Sequence, residues 1–297
     1  MKILITGANG QLGRCLQERL CLEPGLQTVA CDRAQLDISC DPELGHYLEQ
    51  ERPALVINAA AYTAVDRAEE EQALAYRVNA LGPELLARHC ARLQIPLTQI
   101  STDFVFDGRH SLPYQESDPC HPLSIYGQSK WAGEERVREH CPRHLIVRTS
   151  WVFSSHGANF VKTMLRLMAE REHLGIVDDQ VGCPTSAADL AEAVLSLSRQ
   201  AMNNPALFGT YHFCNQGATS WYRFAEAIYQ QATELGLLAS PCNLSPITTD
   251  QYPTAAVRPA YSVLDTAKLS AAINHSPRPW QDALRATLTT LKESDHG

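Results

Sequence analysis

Three absences narrow what this 297-residue chain can do. It has no block of Lys or Arg, and its formal net charge is −8. Phosphate-backbone binding needs a basic footprint, so nucleic acid is disfavoured as the main partner. A nucleotide-sized anion stays open, because a few local donors suffice to hold one. No apolar stretch approaches the roughly 20 residues of a membrane span. The opening "MKILITGANG" carries one Lys and an apolar strand too short for a signal peptide. None of the ten cysteines forms a C-x-x-C pair, and several sit inside apolar runs, such as Cys31 in "TVACD" and Cys214 in "YHFCN". Free thiols in a reducing compartment fit this pattern better than a disulfide framework. Neither the cysteines nor the eleven histidines suggest a zinc site. The expectation is a cytoplasmic protein with no membrane partner.

What is present is an ordinary globular balance, 44% hydrophobic and 20% charged residues. The first 150 residues alternate short apolar runs with longer amphipathic ones. "KILIT" (2–6), "TVACD" (28–32), "ALVINAA" (54–60), "LTQIS" (97–101) and "HLIVRTS" (144–150) are nearly continuous in apolar character. Parallel strands buried on both faces read that way. Helical patterns lie between them, including 68–94 and 125–140. Alternation of this kind predicts an α/β fold with a doubly wound parallel sheet over residues 1–150. Residues 151–297 change rhythm and predict mainly a smaller second domain, with segments of about 174–215 returning to the sheet. The amphipathic helix at 186–200 is either docked on its own sheet or a surface for a homodimer.

"ITGANGQLGRCL" places Gly7, Gly10 and Gly13 between the first strand and the first helix. Glycines there permit a tight turn and let backbone N–H groups approach a pyrophosphate, which the helix N-terminus attracts. The spacing is G-x-x-G-x-x-G. Asp32 ends the second strand, 19 residues past Gly13, where a carboxylate bonds ribose hydroxyls and favours NAD. Arg33 follows at once, and a guanidinium pairs with the 2′-phosphate of NADP. The two pull in opposite directions and leave NADH and NADPH both open. Asp37 reads equally well as a contact to the adenine amine or as a helix cap.

"STDFVFDG" falls at the C-terminal end of the fourth strand, where open α/β sheets place their ligands. "SIYGQSKWAGEE" sets Tyr126 four residues before Lys130, on one face of a helix. A phenol near pKa 10 exchanges its proton poorly at neutral pH unless its anion is stabilised, which a nearby ammonium does by charge. A Thr102 hydroxyl could bond the same carbonyl oxygen. Such a trio would polarise a ketone, let its carbon accept hydride and deliver a proton to its oxygen.

With these motifs in this order, the chain resembles the short-chain dehydrogenase/reductases of the extended, sugar-nucleotide type. Further stretches, "NAAAYTAVDRAE", "RTSWVFSSHGANFV", "VDDQVGCPT" and "RPAYSVLDTAKL", make it similar to the dTDP-4-dehydrorhamnose reductase family. The resemblance implies a Rossmann domain for NAD(P)H over 1–150, a substrate domain after it and a dTDP-sugar substrate. It implies Thr102, Tyr126 and Lys130 as the catalytic trio. It places cofactor contacts at Gly10, Gln11, Leu12, Asp32, Asp37, Ile38, Ala61, Tyr62, Thr63, Tyr126 and Lys130, and sugar-nucleotide contacts at Thr102, Asp103 and Trp151. It also associates the chain with Mg2+, for which no acidic cluster marks the ligands. Related dehydratases carry two carboxylates after the Thr. Here Phe104 follows Asp103, and a phenyl ring cannot protonate a leaving hydroxyl, so the expectation is plain reduction. Reduction or epimerisation of another nucleotide sugar, and a non-catalytic regulatory subunit of the same fold, are the competing readings. Trp151 is a sugar platform or core, and Arg258 a diphosphate clamp or a surface ion pair.

Overall fold

In the computed structural model, which describes residues 1–294, the N-terminal half is built of strand–helix units. β1 (Lys2–Thr6) passes through the glycine turn into α1 (Gln11–Cys21), followed by β2 (Gln27–Cys31), α2 (Asp41–Glu51) and β3 (Leu55–Asn58). Short helices α3 (Val65–Ala68) and α4 (Gln72–Tyr76) run through a π-helical turn, Arg77–Leu81, into α5 (Gly82–Arg92). Pro83 explains the turn: it has no N–H to give the regular ladder, so the register widens just before it. β4 (Leu97–Thr102), α6 (Ile125–His140) and β5 (His144–Thr149) complete this half.

The second half holds β6 (Val152–Phe153), α7 (Phe160–Glu170), β7 (His173–Val177), β8 (Val181–Gly182), β9 (Thr185–Ser186), α8 (Ala187–Asn203) and β10 (Gly209–His212). β11 (Thr219–Ser220), α9 (Trp221–Glu234), β12 (Asn243–Ile247), α10 (Ala267–Ile273) and α11 (Trp280–Ser294) follow. The main sheet has the order β10-β5-β4-β3-β1-β2, and its pairings are parallel. The order reverses between β1 and β3, which opens a crevice beyond their C-terminal ends.

Alternation along the strands separates two cores. Ile3, Ile5, Ile57 and Val147 face α1, α8 and α10, while Leu4, Val56, Leu97 and Ile146 face α2, α5 and α6. The apolar face of α8 is therefore spent on its own sheet, the docked alternative of the two offered by its sequence. A third cluster joins α7, α9 and α11 around Phe153, Phe224 and Trp280, and forms the second lobe.

The return to the sheet starts later than 174. Residues 187–212 supply α8 and β10, but β7 pairs with β12 in a ribbon of its own. The cause is local: His173–Val177 alternates exposed and buried residues, which suits a strand covered on one face and not a central parallel strand.

Candidate active site

At the cofactor end the backbone sets the geometry. Gly7 has φ +73°, and a Cβ there would lie 2.5 Å from the Ala60 nitrogen. A Cβ at Gly13 would lie 2.2 Å from the Gly7 carbonyl oxygen. The turn is thus closed against β3 and folded on itself, which only hydrogen side chains allow. Gly10 is the N-cap of α1 and offers no side chain to it, so the first N–H groups of the helix, at Gln11, Leu12 and Gly13, are left to an anion. This cradle fits a dinucleotide pyrophosphate.

The groups beyond it are exposed and engaged with each other. Asp32 accepts hydrogen bonds from Asn9 (2.8 Å) and from the amides of Ala34 and Gln35. Asp37 accepts from the Ser39 amide and hydroxyl in a turn ahead of α2, whose N-cap is Cys40, and also lies 3.6 Å from both Arg33 and Arg77. Arg77 was not singled out by its sequence: it comes from the π-helical turn, and only the fold sets it beside Arg33. The Ile38 side chain is core, so a contact with a cofactor would fall to its backbone. Ala61, Tyr62 and Thr63 follow β3 at the same edge. Buried Asn79 holds that loop, accepting from the Tyr62 amide (2.8 Å) and donating to the Tyr62 carbonyl and to Ser129 on α6. Sequence reading missed Asn79; a polar residue on the inner face of a helical run was its only signal.

At the reaction end side chains set the geometry. Ser124 caps α6 by accepting from the Gly127 amide, and one turn carries Tyr126 and Lys130 on the same face. Thr102 ends β4, donates to Asp103 at 3.0 Å and accepts from the Phe104 amide. Burial pushes the Tyr126 phenol up to about 12; the neighbouring Thr102 hydroxyl lowers it and the Asp103 charge raises it further. Phe104 meets its ring edge-on at 5.5 Å. Asp103 is itself 2% exposed, and burial raises its carboxyl to about 6 despite the hydroxyls of Ser262 and Thr102.

The ammonium of Lys130 is not where spacing alone put it. Its Nζ donates to the Ile100 carbonyl oxygen at 2.6 Å, and it is not among the charges that move the phenol. A lysine 4% exposed must satisfy its donors, and the end of β4 offers the nearest acceptor. Burial lowers it to about 8, with Glu134 opposing. Glu134 continues the face of Tyr126 and Lys130 and is bound by Arg148 (2.8 and 3.0 Å) and Arg138 (2.6 Å). His212 is held low, at about 3, by burial and by Arg148. It is thus neutral, with Nδ1 donating to Tyr114 and Nε2 accepting from Arg148.

Trp151 adopts φ +47°, rare for a bulky residue, and stacks on Trp221 with centroids 3.5 Å apart. It is neither free platform nor plain core: one face is covered, and the residue is only partly buried. Arg258 takes the ion-pair alternative, gripping Asp66 with two nitrogens at 2.6 and 3.1 Å. It also lines a cleft of about 480 Å³ with Phe160, Arg171, Gln180, Trp221 and Tyr252.

Among the described residues one group of His, Cys, Asp and Glu side chains is close enough to hold a cation: Cys15, Glu18 and His156. A thiol and an imidazole do not fit magnesium, which takes oxygen ligands. Among the same residues no helix is long and apolar enough to cross a membrane.

A family model described as the RmlD substrate binding domain matches residues 1–293. The dTDP-4-dehydrorhamnose reductase of Aggregatibacter actinomycetemcomitans is 42% identical over 285 residues, spanning 96% of this chain and 97% of that one. Among solved structures, a dTDP-4-dehydrorhamnose reductase from Clostridium acetobutylicum superposes with a TM-score of 0.91 at 40% identity, covering 98% of this chain and 100% of its own. Another, from Bacillus anthracis in complex with NADP, gives 0.89 at 38% identity over 97% and 99% of the two chains.

Proposed function

Because the chain belongs to the RmlD substrate binding domain family, we propose that it reduces the C4 ketone of dTDP-4-dehydro-L-rhamnose to dTDP-L-rhamnose at the expense of NAD(P)H. The observation that carries this reading is the convergence of Thr102, Tyr126 and Lys130 at the sheet edge that also bears the glycine turn.

The reduced nicotinamide, when bound, supplies the hydride. The rest falls to side chains. Tyr126, with its phenol near 12, is protonated at neutral pH and is the donor to the C4 oxygen. Thr102 holds the same oxygen by its hydroxyl. Lys130 spends one donor on Ile100 and has two left for a ribose of the cofactor. Gly7, Gly10, Gly13, Gln11 and Leu12 cradle the pyrophosphate, and Arg33 with Arg77 favours the 2′-phosphate of NADPH. Asp32, Asp37, Ile38, Ala61, Tyr62 and Thr63 complete the cofactor wall.

The second lobe would take the nucleotide end. Trp221 and Phe160 give a base a surface to stack on, and Arg171 offers a cation to a diphosphate. Asp103 and Trp151 meet the sugar between the lobes. The free, mostly buried cysteines agree with a cytoplasmic site of action.

The direct test follows NADPH absorbance on adding dTDP-4-dehydro-L-rhamnose. Stoichiometric oxidation with appearance of dTDP-L-rhamnose is expected. No turnover with this substrate, by a folded chain that binds NADPH, would overturn the assignment.

A further inference from the structure

Gln11, Cys15 and Glu18 lie along one face of α1, and the same loop of the second half covers all three. The Gln11 side chain accepts from Ser154 (2.9 Å) and Asn159 (3.0 Å) and donates to the Val152 carbonyl. The loop is rigidly folded: Ser154 Oγ accepts from the His156 amide, and Asn159 donates to the carbonyls of Ser154 and His156. This holds the His156 imidazole over the next turn of α1.

There the ligand atoms of Cys15, Glu18 and His156 all lie within 4.8 Å of one another. His156 Nε2 is 2.8 Å from a Glu18 carboxylate oxygen, yet the buried nitrogen makes no hydrogen bond with it. The two atoms are close without being aimed at each other. The Glu18 carboxylate beside the buried thiol supplies a negative charge that attracts a cation. Glu18 is 63% exposed and leaves an entry path.

We propose that Cys15, Glu18 and His156 form a site for a soft divalent cation of the zinc class, with a fourth position left to water. Sulfur, nitrogen and oxygen ligands in one tetrahedral set suit zinc and disfavour magnesium and calcium. Bound there, the cation clamps the loop after Trp151 to the helix that carries the glycine turn, and so ties the two lobes together beside the cofactor cradle.

The test uses the full chain with the exposed Cys21 replaced by Ser, so that a surface thiol does not compete. Zn2+ affinity is measured by competition with a chromophoric chelator, and Co2+ serves as a spectroscopic probe. One Zn2+ per chain is expected, with a higher melting temperature and a Co2+ complex showing a thiolate charge-transfer band. Glu18→Ala and His156→Ala change partly exposed side chains and should weaken Zn2+ binding at least tenfold, about 1.4 kcal/mol. Cys15→Ser should abolish the charge-transfer band. Zn2+ affinity unchanged in His156→Ala, a Co2+ complex of the parent without thiolate character, or no Zn2+ binding by the parent would each overturn the proposal.

Discussion

The two ends of one sheet edge are built in opposite ways. Around Gly7 and Gly13 the main chain carries the geometry, and the side chains near it, Asp32, Arg33, Asp37 and Arg77, are half-buried or exposed, with Asp37 set between the two guanidiniums. Around Thr102, Tyr126 and Lys130 the side chains carry the geometry, and burial raises the Asp103 carboxyl and the Tyr126 phenol and lowers the Lys130 ammonium. Water explains the difference. It screens the charges at the first end and leaves them interchangeable, while its exclusion at the second makes each hydroxyl, carboxyl and ammonium count.

The sharpest way to break this contrast is Tyr126→Phe. The ring keeps its packing against Phe104 and loses only its hydroxyl. kcat should fall by about 10²–10⁴ with KM and melting temperature nearly unchanged. Wild-type kcat in this variant would mean that the buried end does not carry the proton.

Next comes the pH dependence of stability. Asp103 stands at about 6 in the folded chain against 3.8 when solvated, so folding favours its protonated form. Its contribution is fully present below about 4 and is lost as pH rises through about 6, some 3 kcal/mol in all. Melting curves of wild type and Asp103→Asn should therefore diverge between those pH values, with the variant gaining relative stability at the higher one. Parallel curves would show that the carboxyl is solvated after all.

The smallest effect belongs to the exposed end. Arg33→Ala and Arg77→Ala should each weaken NADPH binding by less than about tenfold, leave NADH binding unchanged and lose their effect at high salt. A hundredfold loss from either would put that guanidinium in a desolvated contact and erase the contrast.

How much of this was legible in the sequence follows the same division. Local rules sufficed for the strands of the sheet, the glycine turn and the Tyr126–Lys130 pair, because apolar runs and helical spacing act within a few residues. Pairings between distant residues did not show. Asn79 meets Tyr62 and Ser129, Arg148 meets Glu134 and His212, and Trp151 meets Trp221 only after the chain has folded. The direction of Lys130 escaped for a related reason: spacing gives the face of a helix but not which buried acceptor a long side chain finds. β7 was visible as a strand, yet its partner β12 lies some 70 residues on.

The placement of β10 bears on how the molecule is made. Its pairing with β5 closes one flank of the sheet, but more than 50 residues, strands β6 to β9 and helices α7 and α8 among them, come between them in the chain. As the protein is synthesised, β5 emerges with its outer row of N–H and C=O groups unmatched, and it stays so until residue 212 is available. Until then the nascent sheet carries an open edge of the kind that invites pairing with another chain. The two lobes are thus not independent modules laid end to end: the first is finished only by a strand delivered through the second.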